Sequence, residues 1–497
     1  IATHLIQDAN KYNKPLQLVS FDIEKAFDRV SHTVIPQALQ KYGFPQLFID
    51  AIKTLALTGI AQVEVNNKKS EQFQIKTGSG QGDPLSSCLF ILATEPLNLL
   101  LNKKFTDTFY ETEANRTYGM LLFADDNLAS LNITNINQLT QICDLYEQYT
   151  TVSGLNINIQ KSSALCINTS DDMKQQIENL GLATIEKTKY LGIQLSCTIE
   201  DTVKNTADEI DIRALKRRIL ATTPPTDLLH RATLINTAFT SLYTHVFMSL
   251  PISTDHTNAL FDSILDFLWT RQKDGNTVKK RRLVAKKRLA ASYEMGGLQI
   301  QHPNDTLIGL QANLIQKLYK NITQNKAGLL NEIVQDLLRQ VDRPSLEDHV
   351  KGLSSKQWKI TANRLIDHNT ILAQAFSATS DIIQIMEKHS KYWHNAPIYG
   401  HSLESKLLPI YKEEDRMLVA KGILTVSHLY EQNEHGQLQS TFRNYIHTSF
   451  DWNPYLIRKL KQLHMNLEKN IFKRNFSKCH MSALSILQAV FAKNKNL

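Results

Sequence analysis

The sequence is poor in cysteine, glycine and proline. Its 497 residues include only five cysteines, at positions 88, 143, 166, 197 and 479, and no two of them form a Cys-x-x-Cys pair. This spacing argues against a disulfide framework and against a cysteine-ligated zinc site, and it is typical of a reducing intracellular compartment. The 18 glycines and 13 prolines are few for the length, as in an ordinary globular protein.

Long apolar runs are also missing. The most apolar stretch, "LSSCLFILATEPLNLLL", contains Glu95 and Pro96, so we predict no membrane span. The chain is long enough for about two to four domains with full-sized cores. It starts with Ile1 and shows no signal-like segment, and we expect it to be a fragment of a longer protein.

The positive charge is concentrated in one segment. Between Arg271 and Arg288 the sequence "RQKDGNTVKKRRLVAKKR" holds nine basic residues and one acidic residue, an excess equal to the formal net charge of +8. Such a run favours a polyanionic partner or a nuclear-import signal. A solvated helix or loop face is the structural alternative.

Strand and helix patterns change along the chain. Up to about residue 195, strand-like segments such as "LQLVSF" alternate with amphipathic patterns, of which residues 34–42 are one. "AQVEVNN" and "EQFQIKT" predict two strands around a polar turn. This irregular order predicts an α+β domain with an antiparallel sheet. Beyond about residue 200 helical patterns dominate, including a stripe of apolar residues from Leu228 to Val246.

Two predicted strands run directly into aspartates. "GMLLFADDNLASL" ends an apolar segment at Asp125 and Asp126, and "LVSFDIEKAFDRVSH" ends another at Asp22. Adjacent carboxylates repel each other and are costly to bury without a partner. An exposed turn is one interpretation of Asp125 and Asp126. A pair of strand-terminal carboxylate sites is instead what a two-metal phosphoryl-transfer centre requires, because Mg²⁺ prefers hard oxygen ligands.

A glycine-rich segment, "TGSGQGDPLSSCLFILATEPL", lies between these two sites. Gly78, Gly80 and Gly82 permit a close approach of backbone to a ligand. Asp83 and Pro84, followed by serines, predict the start of a helix. Taken alone, this loop is equally compatible with a structural turn.

Five segments in order resemble the palm motifs of reverse transcriptases. They are "FDIEKAFDRVSH", "SGQGDPLSS", "LFADD", "SGLNINIQKS" and "YLGIQL". The residues within these motifs resemble those of the non-LTR (LINE-type) retrotransposon branch. The resemblance covers residues 1 to about 250, and a weaker one continues through "FLW", "KK" and "EMGGLQI".

The resemblance implies roles for individual residues. Asp22 and Asp125 would be metal ligands, with Asp126 either binding metal or tuning the site, and the Ile23 carbonyl would complete the ligand set. Phe27 would be the steric gate against a ribose 2′-OH, although an ordinary core phenylalanine is the alternative.

Further roles concern the substrates. Gln81 and Gly82 would contact the incoming nucleotide and template, and Lys161 would approach the triphosphate unless it is simply solvated. Tyr190, Leu191 and Gly192 would form the primer grip, for which a core β-hairpin is the alternative. In the basic run, nucleic acid would be bound by Lys279, Lys280, Arg281, Arg282, Lys286, Lys287 and Arg288.

The domain organisation implied by the resemblance has three parts. Residues 1–195 would be the palm, a ferredoxin-like antiparallel sheet with helices. Residues 196–253 would be a helical thumb, and residues 254–497 a basic helical region of unknown function.

The implied activity is RNA-directed DNA polymerisation with two Mg²⁺ ions, or Mn²⁺. RNA template, DNA primer and dNTPs would be the partners, in target-primed reverse transcription and in the nucleus.

Some features depart from the family pattern. Gly80 occupies a position where many relatives have a basic or bulkier residue. The fingers motifs expected before Ile1 are absent, so we expect this chain to bind primer–template but to polymerise poorly. A catalytically inactive nucleic-acid-binding relic and a group II intron maturase are the alternatives. An RNA-dependent RNA polymerase is disfavoured by Phe27, because that enzyme must admit the 2′-OH.

Overall fold

The computed structural model divides the chain into two compact units, unit 1 from Ile1 to Asp208 and unit 2 from Glu209 to Leu497. It describes residues 1–389 and the short segments 430–432 and 438–440. Within 1–389 the description omits residues 79, 81–82, 221–226, 274–275, 280–283, 292, 294–295, 325–327 and 353–354.

Unit 1 combines helices of 4 to 19 residues with many short strands. Its helices are α1 Ala2–Tyr12, α2 Ala26–Arg29, α3 Val34–Lys41, α4 Gln46–Ala56, α5 Ser86–Lys104, α6 Ile136–Ser153 and α7 Asp171–Asn179. Its strands are β1 Leu16–Asp22, β2 Ile60–Ala61, β3 Glu64–Val65, β4 Lys68–Lys69, β5 Phe73–Gln74, β6 Tyr110–Glu111, β7 Thr117–Tyr118, β8 Met120–Phe123, β9 Asp126–Leu131, β10 Ser163–Ile167, β11 Ala183–Ile185, β12 Lys187–Tyr190 and β13 Ile193–Ser196.

A five-stranded sheet in the order β11-β10-β1-β9-β8 forms the centre of unit 1. β1 is antiparallel to both of its neighbours, and β8 and β9 form an antiparallel hairpin. β11 is parallel to β10 because α7 crosses between them. The predicted α+β fold is therefore confirmed, and the sheet is mixed rather than wholly antiparallel at its β11 edge.

Alternation along β1 explains how the sheet is buried on two faces. Val19 and Phe21 belong to a core cluster with residues of α5, α6 and α7, and the Phe21 ring lies 4.9 Å from that of Tyr146. Leu16 and Leu18 point to the opposite face, because successive side chains of a strand alternate, and they are fully buried too. β1 is thus a central strand, and Asp22 is its last residue.

The predicted segments "AQVEVNN" and "EQFQIKT" pair with each other, but through very short strands. β2 pairs with β5, and β3 pairs with β4 across a turn at Asn66 and Asn67, both with positive φ. All four strands are largely exposed. The amphipathic pattern of residues 34–42 forms α3, and Pro36 lies in its first turn, where a proline is tolerated.

Unit 2 is mainly helical. Its helices are α8 Ile199–Leu220, which contains the boundary with unit 1, α9 Leu228–Leu234, α10 Thr240–Ser249, α11 Thr254–Trp269, α12 Pro303–Thr323, α13 Leu329–Gln340, α14 Leu346–Gly352, α15 Ser355–Leu365 and α16 Thr370–His389. A π-helical segment, Ile235–Phe239, joins α9 to α10 within the predicted apolar stripe. Ala232, Ile235 and Phe239 of that stripe are buried.

Two hairpins make the region after residue 253 less uniformly helical than predicted. β14 Thr270–Lys273 pairs with β15 Asn276–Lys279, and β16 Tyr430–Gln432 pairs with β17 Leu438–Ser440. The first hairpin contains the beginning of the basic run. Of "KDGNT", which the sequence predicts to be a connection, Lys273, Asn276 and Thr277 lie in these strands, and residues 274–275 lie outside the described residues. Among the described helices none is long and apolar enough to cross a membrane.

Candidate active site at the ends of β1, β8 and β9

The three predicted carboxylates lie at one edge of the central sheet of unit 1. Asp22, the last residue of β1, pairs in register with Asp126, the first residue of β9. Asp126 also pairs with Phe123 of β8, so Ala124 and Asp125 form the two-residue turn of the β8–β9 hairpin. A turn and a strand end thereby place Asp22 beside Asp125 and Asp126, although about a hundred residues separate them along the chain.

The turn itself has an unusual backbone. Ala124 has a φ of 54°, in the left-handed region that residues with a Cβ rarely adopt. Such a conformation costs of order 1 kcal/mol or more and persists only where neighbouring structure enforces it. Here the side-chain amide of Asn127 donates to the carbonyl oxygen of Asp125 at 3.1 Å, and Asn127 is buried. The buried amide therefore stabilises the turn that presents Asp125.

The electrostatics of the turn disfavour two bare charges. Partial burial, and then the neighbouring charge of Asp125, raise the pKa of the Asp126 carboxyl above its ordinary value. A cation between such carboxylates would remove that repulsion. The simple reading of Asp125 and Asp126 as an exposed turn is correct for the backbone, because both residues are exposed, but it does not explain why Asp22 lies opposite them.

The donor atoms at this edge suit a hard divalent cation. They are carboxylate oxygens of Asp22, Asp125 and Asp126, and Mg²⁺ or Mn²⁺ takes oxygen ligands of this kind. The bonds from Asn158 N–H to the Asp22 carbonyl and from Glu24 N–H to the Asn156 carbonyl flank Ile23 on one side. Since carbonyls alternate along an extended strand, the Ile23 carbonyl points toward the β9 side.

The side chains do not yet converge. Among the residues that the structure describes, no three His, Cys, Asp or Glu side chains lie close enough together to hold a metal ion. The residues fit the cation in donor type and in position along the sheet edge, although their side chains do not converge in this structure.

Residues 153–162, the "SGLNINIQKS" motif, fix the backbone of Asp22. Asn158 N–H donates to the Asp22 carbonyl at 2.8 Å, and Asp22 N–H donates to the hydroxyl of Ser162 at 3.0 Å. Upstream, Ser31 N–H donates to the Ser153 carbonyl at 2.7 Å. Gly154 has a positive φ of 76°, and a Cβ there would come within 2.5 Å of the Arg29 carbonyl oxygen. The motif is thus packed closely against the segment that follows Asp22.

Phe27 is half-buried beside the core rather than fully exposed. Its ring lies 4.6 Å from that of Phe90, a fully buried residue of α5. Phe27 packs against the core cluster that contains Ala26, Val30 and Phe90. This position is compatible with a rigid wall whose free edge faces a nucleotide and also with an ordinary packing residue, so the steric gate stays a prediction.

The glycine-rich loop is only partly described. Gln81 and Gly82 lie outside the described residues. Gly78 has a φ of 84°, and a Cβ there would come within 2.7 Å of the Asp28 carbonyl oxygen. At the far end Asp83 accepts from Leu85 N–H at 2.9 Å, which precedes the start of α5 at Ser86. The predicted helix start after Asp83 and Pro84 is therefore confirmed.

Lys161 and the hairpin β12–β13 flank the carboxylates differently. Lys161 is exposed and lies next to Ser162. Leu191 and Gly192 form the turn between β12 and β13, both with positive φ. The Tyr190 hydroxyl donates to the Leu121 carbonyl of β8 at 3.0 Å. Burial, and then the charge of Asp126, raise the pKa of Tyr190 to about 12, so this hairpin reaches the carboxylate edge.

The basic run belongs to unit 2 and is incompletely described. Lys280, Arg281 and Arg282 lie outside the described residues, Lys279 ends β15, and the backbone of Lys287 belongs to a 3₁₀ turn, Lys286–Arg288. Lys286 forms an ion pair with Asp262 at 3.2 Å, while Arg288 is exposed. Lys286 is therefore a weaker candidate for a phosphate contact than its position in the run suggests.

Three polar residues of the site escape prediction from the sequence. Ser162, Asn158 and Asn127 contact the backbone of the aspartates. The sequence assigns a role only to Lys161, which belongs to the same motif as Asn158 and Ser162, and none to Asn127. A serine directly after that lysine is a weak signal, because its partner, Asp22, lies 140 positions away.

Comparison with known families and proteins supports the palm motifs. Residues 2–195 match the family model described as "Reverse transcriptase (RNA-dependent DNA polymerase)". This range contains Asp22, Asp125, Asp126, Lys161 and Tyr190, together with the central sheet of unit 1.

Two curated relatives have transposon names. The "Transposon TX1 uncharacterized 149 kDa protein" of Xenopus laevis is 28% identical over 269 residues, which are 53% of this chain and 20% of that protein. A "Retrovirus-related Pol polyprotein from type-1 retrotransposable element R2" of Popillia japonica is 28% identical over 209 residues, 39% of this chain and 33% of that protein. The chain thus spans a fifth to a third of the length of these relatives, and neither name supports the maturase alternative.

Similarity to a solved structure is weak. A telomerase from Candida albicans, in complex with a fragment of telomeric RNA, covers 78% of this chain and 50% of its own, with 10% identity. The TM-score is 0.35.

Proposed function

Residues 2–195 are a reverse transcriptase domain related to those of non-LTR retrotransposons, and on that premise we propose that the protein is an RNA-directed DNA polymerase. The observation that carries the proposal is the register of β1 against β9, which places Asp22 opposite Asp126 and beside Asp125. No other carboxylates of the five-stranded sheet stand at neighbouring strand ends within the described residues. Catalysis of phosphoryl transfer consists mainly of positioning and charge neutralisation.

The proposed substrates are an RNA template, a DNA primer with a free 3′-OH, and dNTPs. A divalent cation, when bound, would supply the positive charge that activates the hydroxyl and offsets the triphosphate. Asp22 and Asp125 would hold it, with Asp126 and the Ile23 carbonyl adjoining. We propose Mg²⁺, with Mn²⁺ as a substitute, because all these donors are hard oxygens.

Other residues of unit 1 would orient the substrates. Phe27 would press against the sugar and exclude a 2′-OH, and Gln81 and Gly82 would contact the nucleotide. Lys161 would provide a proton to the departing pyrophosphate. The hairpin turn at Leu191 and Gly192 would hold the primer end, because the Tyr190 hydroxyl bonds its strand to β8.

For unit 2 we propose nucleic-acid binding through the basic run. Lys279, Lys280, Arg281, Arg282, Lys287 and Arg288 are the residues concerned. Contacts of this kind recognise phosphate rather than sequence. A DNA primer at a chromosomal target, as in target-primed reverse transcription, would require a nuclear location.

A second candidate is a non-catalytic nucleic-acid-binding protein of the same ancestry. It is favoured by the absence of three convergent metal-binding side chains among the described residues. The two candidates differ in one property, which is whether Asp22 and Asp125 are needed for chemistry.

Primer extension tests the proposal. Wild-type protein should add dNTPs to a DNA primer on an RNA template, slowly because this chain lacks the fingers motifs. Asp125→Asn should reduce that rate by at least about a hundredfold, because a ligand needed in the transition state is lost. Primer–template affinity, measured by fluorescence anisotropy, should stay within about twofold, since it depends mainly on phosphate contacts elsewhere.

Asp107→Asn is the matched control, because Asp107 is an exposed aspartate of the same unit outside the site. It should leave both the rate and the affinity unchanged. A wild-type protein that binds primer–template without extending it, or an Asp125→Asn variant as active as the control, would favour the non-catalytic candidate.

A further inference from the structure

The pairing between β1 and β10 stops before the carboxylate. Its last pair is Ser20 with Ser163, and Asp22 lies two residues further along β1. At that point the peptide groups of Asp22 have no strand β10 beside them. The backbone N–H and C=O of a partly buried strand end still need partners, and the chain supplies them from residues 158–162.

A serine hydroxyl and a turn supply the hydrogen bonds to Asp22 that a longer β10 would have made. Asp22 N–H donates to Ser162 Oγ at 3.0 Å, and Ser162 Oγ donates in turn to the Asn158 carbonyl at 2.8 Å. Asn158 N–H donates to the Asp22 carbonyl at 2.8 Å. These three bonds form a closed ring in which the Ser162 hydroxyl both accepts and donates. Ser162 is 1% exposed, so water cannot substitute for it without a rearrangement.

The ring determines the direction of the Asp22 side chain. The orientation of a Cα–Cβ bond follows from the positions of the peptide groups on both sides of the Cα atom. Ser162 holds the peptide before that atom and Asn158 holds the one after it. The Asp22 carboxylate is therefore held opposite Asp126 by two bonds from a single five-residue segment.

We propose that Ser162 is a positioning residue, which fixes the Asp22 carboxylate for cation binding through the Asp22 backbone. This inference rests on the proposed function only for its kinetic consequences. In this role Ser162 acts through the Asp22 backbone, whose N–H donates to its hydroxyl at 3.0 Å. Groups that orient metal ligands in this indirect way typically change metal affinity or activity by about 10- to 100-fold when they are removed.

Ser130 offers a matched control in the same sheet. It is a fully buried serine of β9 whose hydroxyl donates to the Tyr118 carbonyl at 2.6 Å. It lies four residues from Asp126 along the strand, or about 13 Å. Ser130→Ala and Ser162→Ala each remove one buried hydroxyl that bonds to backbone, but only the second removes a bond to Asp22.

Two measurements do not depend on catalysis. Hydrogen exchange of the Asp22 amide should be at least about tenfold faster in Ser162→Ala than in wild type or Ser130→Ala, because its acceptor is lost. The dissociation constant for Mn²⁺, measured by electron paramagnetic resonance, should rise about tenfold in Ser162→Ala only. Ser162→Thr keeps the hydroxyl and should restore both values to within about threefold of wild type.

Activity provides the third measurement. In primer extension Ser162→Ala should lower kcat by about 10- to 100-fold and leave KM for dNTP nearly unchanged, since the nucleotide contacts lie elsewhere. Melting temperatures of the two alanine variants, compared in the absence of metal, separate this effect from general destabilisation. If the Ser162→Ala protein does not fold, Ser162→Thr and Ser162→Cys are compared instead. Their Mn²⁺ affinities should rank with the strength of the hydrogen bond that the residue 162 side chain accepts from Asp22 N–H.

The outcomes distinguish this inference from the proposed function. If wild-type protein binds Mn²⁺ but does not polymerise, the proposed function fails, while amide exchange and Mn²⁺ affinity still decide the role of Ser162. If Ser162→Ala matches Ser130→Ala in exchange, affinity and kcat, the positioning role is wrong. It is equally wrong if wild-type protein binds no Mn²⁺.

Discussion

The carboxylates of unit 1 and the buried histidine of unit 2 differ in how their polar groups are accommodated. Asp125 and Asp126 are neighbours at a strained turn, and partial burial, followed by the neighbouring charge of Asp125, raises the pKa of Asp126. His349 of α14 is completely buried, with Nδ1 3.0 Å from the Ser345 carbonyl and Nε2 2.8 Å from the Thr361 hydroxyl. Its ring packs edge-on against Trp358 and Phe376.

The two sites differ in whether the protein itself supplies hydrogen-bond partners or opposite charges for the polar groups. A carbonyl oxygen only accepts hydrogen bonds, so Nδ1 of His349 is the donor to Ser345, and Nε2 lies within hydrogen-bond distance of the Thr361 hydroxyl. Both nitrogens thus have partners, and burial lowers the pKa of His349 to about 3. In the part of the chain that the structure describes, no basic side chain forms an ion pair with Asp22, Asp125 or Asp126 to offset their mutual repulsion. Internally satisfied groups stabilise a fold, whereas a repulsive cluster at a strand edge is what a cation-binding site requires.

The largest effect that would sharpen this contrast is the pH dependence of unit 2. Because the pKa of His349 is about 3 in the folded state and about 6.5 when unfolded, the unfolded chain binds more protons between these values. The contribution of His349 to the free energy of unfolding is therefore complete above about pH 6.5. Below that pH the free energy of unfolding falls by about 1.4 kcal/mol per pH unit. Between pH 7 and pH 5 we expect a loss of about 2 kcal/mol, measured by urea unfolding.

His349→Gln supplies the control for that measurement. Glutamine can retain one hydrogen bond but does not titrate, so the variant should be less stable at pH 7 and should lose this part of the pH dependence. An identical slope in the wild type and the variant would show that other groups carry the pH response, and His349 would then not be the satisfied counterpart of the carboxylates.

A smaller effect concerns Phe27, which packs against a core cluster of unit 1 and is also proposed to contact the nucleotide sugar. Phe27→Val should increase incorporation of ribonucleotides relative to dNTPs by about tenfold or more, because it enlarges the space beside the 2′ position. Competitive primer extension with labelled rNTPs and dNTPs measures the ratio. Phe90→Leu alters the same ring contact from the buried side and should leave the ratio unchanged. Equal behaviour of the two variants would make Phe27 a packing residue only.

The smallest effect should be on the carboxylates themselves. Asp126→Asn removes the repulsion with Asp125 and should stabilise the metal-free protein, by less than about 1 kcal/mol because the group is exposed. The same change should weaken Mn²⁺ binding. Asp107→Asn should do neither. A metal-free Asp126→Asn protein that is less stable than wild type would mean that the turn depends on the carboxylate for its structure.

Prediction from the sequence is most successful where a feature is local. The apolar segments that run into Asp22 and Asp125 are strands, and the helix after Asp83 begins where its residues indicate. The parallel β11 edge is harder to predict, because it depends on how α7 crosses the sheet rather than on the pattern of β11 itself. The hairpin within the basic run has little apolar alternation that could reveal it.

The sequence by itself determined the residue types of the site: strand-terminal carboxylates, a glycine-rich loop and the order of the palm motifs. The strand ends and the loop follow from periodicity and spacing, which act over a few residues, and the order of the palm motifs follows from the resemblance to reverse transcriptases. Only the tertiary structure decided that Asp22 stands opposite Asp126 and that Ser162 holds it there. The physical reason is that a buried N–H must find an acceptor wherever the fold brings one, and here that acceptor is a hydroxyl 140 positions along the chain.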